Sequence, residues 1–195
     1  MIRLKTLALT SLALGCAAAV AATAGLLPVS PFGMTQEPEM EKPTKEHELL
    51  QESIGEWKGV VKMTMPGAEG EAMEVSETIS AIGPFWTTSD FGGDFMGMPF
   101  LGRAVMGYDG QAKKFVGTWC DSTSSYLAVM EGTADMKTGA ITMNWMQPLM
   151  GMGDPVPHSS VTTVTDDSYV SKFSAEMGGT KMPTMEIHME RVKKK

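Results

Sequence analysis

Nineteen methionines in a chain of 195 residues are the first chemistry this sequence offers. A thioether is a soft ligand for metals such as Cu(I), and it is also an adaptable apolar contact. Met96 and Met98 stand in one turn-rich stretch, Met150 and Met152 in another, and Met182 in a third. Gathered together they suit Cu(I); arranged around an opening they suit a greasy ligand or partner. Met also fills strand-like runs at Met63, Met143 and Met189, where packing explains it, and this favours the apolar rim.

The other reactive residue types are sparse. With three histidines and no HExxH or CxxC pattern, the sequence assigns no metal site and no cofactor. "GMPFLGRA" at 97 to 104 copies the glycine spacing of a phosphate loop, but it lacks the Lys and the Ser or Thr, and a strand follows it. Ser122 to Ser125 bring hydroxyls beside Asp121, yet a base would have to come from distant His158 or His188, so no catalytic residue is assigned. Glu77 is the most informative carboxylate. It shares parity with Val75, Ile79 and Ala81, while Glu74, Ser76, Thr78 and Ser80 point the other way. An inward carboxylate needs a partner, and Arg103, Arg191 or the polar end of a ligand could supply it.

These residues must be positioned by strands. After a short helix in "TKEHELLQESIG", with Thr44 as N-cap, His47 on an exposed face and Gly55 as the stop, the chain is written in Val, Ile, Thr and aromatic runs broken by turn residues. Ten runs are expected, at 56 to 65, 73 to 82, 85 to 92, 103 to 109, 113 to 121, 126 to 134, 139 to 147, 158 to 166, 168 to 177 and 184 to 192. In "TMEIHMERV" Met185, Ile187, Met189 and Arg191 alternate with Glu186, His188 and Glu190, the period of a sheet wet on one side. Closing such a meander into an all-β, antiparallel up-and-down barrel removes its unpaired edges. Tight links at 83–84, 110–112, 136–138 and 166–167 would share one end. Longer links near 66–72, 93–102, 122–125, 148–157 and 178–183 would share the other. The stretch "GRAVMGYDGQAKKFVGTWCDS" at 102 to 122 reads as a hairpin turning at Asp109-Gly110.

The N-terminus is read separately. Arg3 and Lys5, an apolar run from Thr6, and the A-x-A pattern at Ala22 to Ala24 predict a signal peptide over 1–24, with a second A-x-A match ending at Ala21. Lipidation at Cys16 ranks behind cleavage, and an uncleaved anchor over Thr6 to Leu27 ranks behind both. A Pro- and Glu-rich linker then runs over 25–43, and one domain fills 44–195. The expected location is periplasmic or secreted, where a lone Cys120 should be buried. A formal charge of −7, with no basic stripe, argues against nucleic acid as a partner. The mature form is expected to carry no transmembrane domain.

"GEW" at 55–57, opening the first strand after a short helix, resembles the Gly-x-Trp opening of lipocalin-like, or calycin, barrels. The resemblance implies structural roles for Gly55 and Trp57, with Trp57 plugging the closed end against a basic residue of the last strand, here Arg191. Some haem-binding barrels of that kind carry the iron ligand on a late strand, but His188 falls on the wet face beside Glu186 and Glu190. From Glu46 to Val192 the chain more closely resembles an uncharacterised bacterial family of unknown function, numbered 1579, through "HELLQESIGEW", "LGRAVMGYDGQAKKFVGTWCDS", "EGTAD", "TDDSY" and "MEIHMER". The implied function is binding of a small apolar or amphipathic molecule through the open end. The contact candidates are Glu77, Arg103 and Asp121 as polar groups, with Met96, Met98, Met150 and Met152 at the rim. A filled structural or interaction module of the cell envelope, an enzyme with its site at the mouth, and Cu(I) binding are the alternatives.

Overall fold

The computed structural model describes residues 40–193 apart from 66–67, 96 and 150–151. The expected signal peptide, Cys16 and nearly all of the expected linker lie outside the described residues, as do Met96 and Met150. One helix, α1 (Lys45–Gln51), precedes ten strands: β1 (Gly55–Met65), β2 (Ala68–Ile82), β3 (Trp86–Phe95), β4 (Met98–Asp109), β5 (Lys114–Asp121), β6 (Ala128–Asp135), β7 (Ala140–Leu149), β8 (Met152–Val164), β9 (Ser168–Met177) and β10 (Thr180–Arg191). Consecutive strands pair antiparallel, and β1 closes on β10, so the sheet is a barrel without free edges. Among the described residues no helix is long and apolar enough to cross a membrane.

Four of the five links at one end are shorter than the sequence suggests, while the β5–β6 link, 122–127, is two residues longer. β2, β3, β4, β7, β8 and β10 run on through segments read as loops, so that β1 and β2, β3 and β4, β7 and β8, and β9 and β10 are each separated by only two residues. Gly97, Gly178 and Gly179 have positive φ and supply sharp reversals that let the flanking residues stay paired, and Gly153, the second residue of β8, also has positive φ. Met98 therefore belongs to β4, opposite Phe95 at a hairpin tip, and is exposed.

The opposite end is sealed by α1, which lies against β3 and β4. Leu50 enters a buried cluster with Phe115, Ile141 and Met143. His47 departs from the exposed position expected of it, being 1% exposed. Its Nδ1 accepts the Thr44 N–H at 2.9 Å, which leaves Nε2 protonated to donate to the Tyr108 carbonyl at 3.0 Å. This imidazole takes the place usually held by Glu or Gln in a capping box and ties the start of the helix to the end of β4. At the β4–β5 turn Asp109 Oδ1 accepts the N–H groups of Gln111 and Ala112, which fixes the hairpin.

Candidate functional site

Paired residues on neighbouring strands point to the same side of a sheet, so the registers assign each side chain to the lumen or to the outside. At the closed half the lumen is filled. Trp57 is 1% exposed, donates from Nε1 to the Ser53 carbonyl at 2.9 Å and meets Tyr169 edge-on at 5.0 Å. Arg191, its register partner on β10, places Cζ 4.0 Å from the indole centroid. The same guanidinium donates to the carbonyls of Glu52, Ile54 and Asp166. Gly55 has φ +152°, and a side chain there would fall on the Arg191 guanidinium, so the position requires glycine on both counts.

Towards the open end the lumen wall changes character. Phe91, Phe100 and Trp119 form one aromatic group, with Phe100 and Trp119 stacked at 6.5 Å. Trp145, His158 and Phe173 form another, in which Trp145 and His158 stack at 5.5 Å. Met63, Met73, Met130 and Met185 fill positions between the two groups. Gly102, in register with Phe91 and Asp121, carries no side chain and lets the Trp119 ring lie against the β4 backbone. All these aromatic and methionine side chains point inward, and all except buried Phe91 remain only partly buried, so the open half of the lumen admits solvent.

Between the two halves sits Glu77. Its carboxylate accepts hydrogen bonds from the Ser89 hydroxyl at one oxygen and the Tyr169 phenol at the other. Neither expected basic partner reaches it. Arg103 stands on the outer face, where it pairs with Asp90, and Arg191 is committed to Trp57 and the carbonyls of the closed end. The parity that places Glu77 inside places Arg103 outside, and sequence spacing on one strand carries no information about the other. Burial raises the Glu77 pKa above its ordinary value, opposed by the Ser89 and Tyr169 hydrogen bonds. Burial and the adjacent Glu77 charge push the Tyr169 phenol up, so it stays a neutral donor.

The remaining candidates separate by location. Asp121 stands near the mouth, where Oδ2 accepts the Trp119 indole N–H at 3.0 Å and Oδ1 holds the following turn through Thr123. Ser122 and Ser124 are likewise engaged in backbone hydrogen bonds of that loop. Met152 belongs to β8 at its first residue. Cys120 is exposed, contrary to the expectation of burial; alternation with inward Trp119 turns it outward, opposite Arg103. His188 lies on the outer face bonded to Glu186, which lowers the Glu186 pKa. Among the described residues no group of three His, Cys, Asp or Glu side chains could hold a metal ion.

Sequence spacing alone did not single out His158. It lines the lumen across from Trp145, its Nε2 is buried with no protein partner, and burial lowers its pKa, leaving it neutral. The parity of β8 was the available signal. Outside the barrel, β1, β2, β9 and β10 carry a groove of about 660 Å³ edged by Lys58, Glu74, His188 and Glu190. Its mixed charges and open shape give an apolar molecule little to hold, whereas the lumen joins an aromatic wall to a few convergent polar groups.

Solved structures share this architecture. The Rv2717c protein of M. tuberculosis superimposes with a TM-score of 0.60 at 10% identity, covering 78% of this chain and 100% of that one. The S-type phycobiliprotein lyase CPES of Guillardia theta gives 0.53 at 15% identity, with the same coverage. At these identities the likeness is one of fold. None of the curated proteins compared matches the sequence. Residues 42–191 match the profile described as "Protein of unknown function (DUF1579)", and the chain belongs to that family.

Proposed function

We propose that the barrel binds a small apolar or amphipathic molecule, which enters through the open end and rests on the aromatic and methionine walls of the lumen. The observation that carries this reading is the contrast between the halves: Trp57, Phe115, Met143 and Met189 are fully packed, while Phe100, Trp119, Trp145 and Phe173 face inward and remain partly exposed. An amphipathic ligand would turn its polar end towards Glu77 or towards His158 Nε2, and Asp121 and the mouth methionines would border its entrance. Native mass spectrometry of protein purified from its own host tests the reading. A reproducible bound small molecule supports it; repeated ligand-free spectra, with no quenching of tryptophan fluorescence by apolar probes, reject it.

Action outside the cytoplasm belongs to the same proposal, with cleavage after Ala24. A measured mass for the mature N-terminus beginning at Gly25 or Ala22 supports it, and a diacylated Cys16 replaces it with a tethered form. A second reading, a filled interaction module, draws on the apolar side chains left on the outer surface, among them Leu101 at 66% and Val129 at 68% exposure. The same ligand-free spectra would favour it.

A further inference from the structure

The floor of the lumen carries a carboxylate with no cation. Among the described residues, Arg103 pairs with Asp90, Lys114 with Glu131, Lys172 with Glu186 and Lys193 with Asp167, all away from the lumen, and Lys58, Lys62 and Lys181 stand at outward register positions. Arg191 is held over Trp57. The two groups that do meet Glu77, Ser89 and Tyr169, are neutral donors. They stabilise the ionised carboxylate without cancelling its charge, and a carboxylate with about four acceptor positions has room for a further donor.

The surroundings fit a particular kind of visitor. Phe91 is the direct register partner of Glu77, and it packs edge-on against both Phe100 and Trp119. Aromatic faces attract organic cations, most strongly where water is excluded. The lumen wall of the open half presents no Lys or Arg among the described residues, and its one imidazole, His158, is kept neutral by burial. The other carboxylate near the path, Asp121, is already engaged by the Trp119 indole. A formal charge of −7 on the whole chain draws cations and repels anions.

We infer that the lumen selects organic ammonium compounds, an alkylated or protonated amine on an apolar body, with Glu77 as the counter-ion and Phe91, Phe100 and Trp119 as the aromatic side of the cage. The inference rests on the binding reading above and adds the charge of the ligand's head. It differs from a structural role for Glu77 because an ion pair with the ligand is lost when the carboxylate is neutralised, while apolar binding survives.

The test compares decyltrimethylammonium, decanol and decanoate, each below its micelle concentration, by calorimetric titration of the full chain. The ammonium compound should bind at least about 10-fold more tightly than decanol, a difference of about 1.4 kcal/mol, and decanoate should bind most weakly. Because the probe's own charge is fixed, its preference should fade as the pH drops and Glu77 takes up a proton; of the other groups facing the lumen, the Tyr169 phenol stays neutral, burial delays protonation of His158 to lower pH than an ordinary imidazole, and Asp121 near the mouth is held by the Trp119 indole. Glu77→Gln should abolish the preference and leave decanol within about 2-fold of its original affinity. Should that variant fail to fold, Tyr169→Phe keeps the carboxylate but removes a donor to it, and the preference should then fade at a higher pH. Equal affinity for the three probes, or a preference that survives Glu77→Gln, overturns the inference while leaving the binding reading intact. Failure of all three to bind overturns both.

Discussion

The contact between Arg191 and Trp57 permits a quantitative test of how the closed end is held. Replacing Arg191 by Met keeps most of the aliphatic bulk over the indole and removes the charge and all its donors. The cation lies 4.0 Å from the ring centroid of a residue that is 1% exposed, so the lost attraction should be about 0.5–2 kcal/mol. Of its three carbonyl acceptors, those of Glu52 and Asp166 lie in exposed hydrogen bonds that water can replace. Only the part-buried Ile54 carbonyl should count, at about 1 kcal/mol. The variant should therefore lose about 1.5–3 kcal/mol. Trp57→Ala should lose about 3–5 kcal/mol, since it also vacates the volume beside Tyr169 and frees the Ser53 carbonyl. Urea unfolding followed by far-ultraviolet circular dichroism, which does not depend on the deleted indole, measures both. The double variant should be less destabilised than the sum of the single ones by about 0.5–2 kcal/mol, the coupling between cation and ring. A coupling of zero, or a Trp57→Ala cost under about 1 kcal/mol, would refute the view that this pair closes the barrel.

Glu77→Gln should change how stability depends on pH. Because burial raises the folded pKa of Glu77, the stability linked to its protonated form is fully present below the ordinary value of 4.5 and is lost as pH rises through the folded value. The balance should move towards the Gln variant by about 1.4 kcal/mol per pH unit across that interval, and parallel stability curves would contradict the burial assigned to Glu77. Gly102→Val should cost about 1–3 kcal/mol and displace Trp119, seen as a shift of indole emission, because a β-carbon at 102 would enter that ring; unchanged emission would refute the packing. Cys120 should react stoichiometrically with a maleimide in the folded protein, and a requirement for denaturant would contradict its exposure.

Strand periodicity made much of this legible, and the misreadings have identifiable causes. A period of two fixes which residues share a face, so the inward placement of Glu77 followed from its neighbours on β2. The same rule turns Cys120 outward beside inward Trp119, and it outweighs the expectation that a lone thiol in an oxidising compartment is buried. Partners were harder to read. Tyr169 lies 92 residues from Glu77, and the Tyr108 carbonyl 61 residues from His47, distances over which one sequence offers no register. Strands extend into segments that read as long loops, because Gly and Pro mark turns without marking their length. At Gly97 and at Gly178-Gly179, positive φ compresses the reversal while Phe95 stays paired with Met98 and Met177 with Thr180.

The hydrogen bond from Tyr169 to Glu77 explains how two halves of one lumen take different characters. Tyr169 belongs to β9 and Glu77 to β2, with β10 and β1 between them in the barrel wall. Neighbouring strands lie about 4.8 Å apart, so a bond between side chains three strand spacings apart must cut across the interior as a chord. Beneath it Gly59, in register with both Met189 and Val75, leaves its place to the Met189 side chain, whose sulfur a β-carbon there would meet at 2.8 Å. The chord lies directly against Trp57, whose ring meets Tyr169 edge-on. Trp57 thus supports the phenol that holds the carboxylate, and the packing of the closed end sets the depth at which Glu77 stands in the lumen.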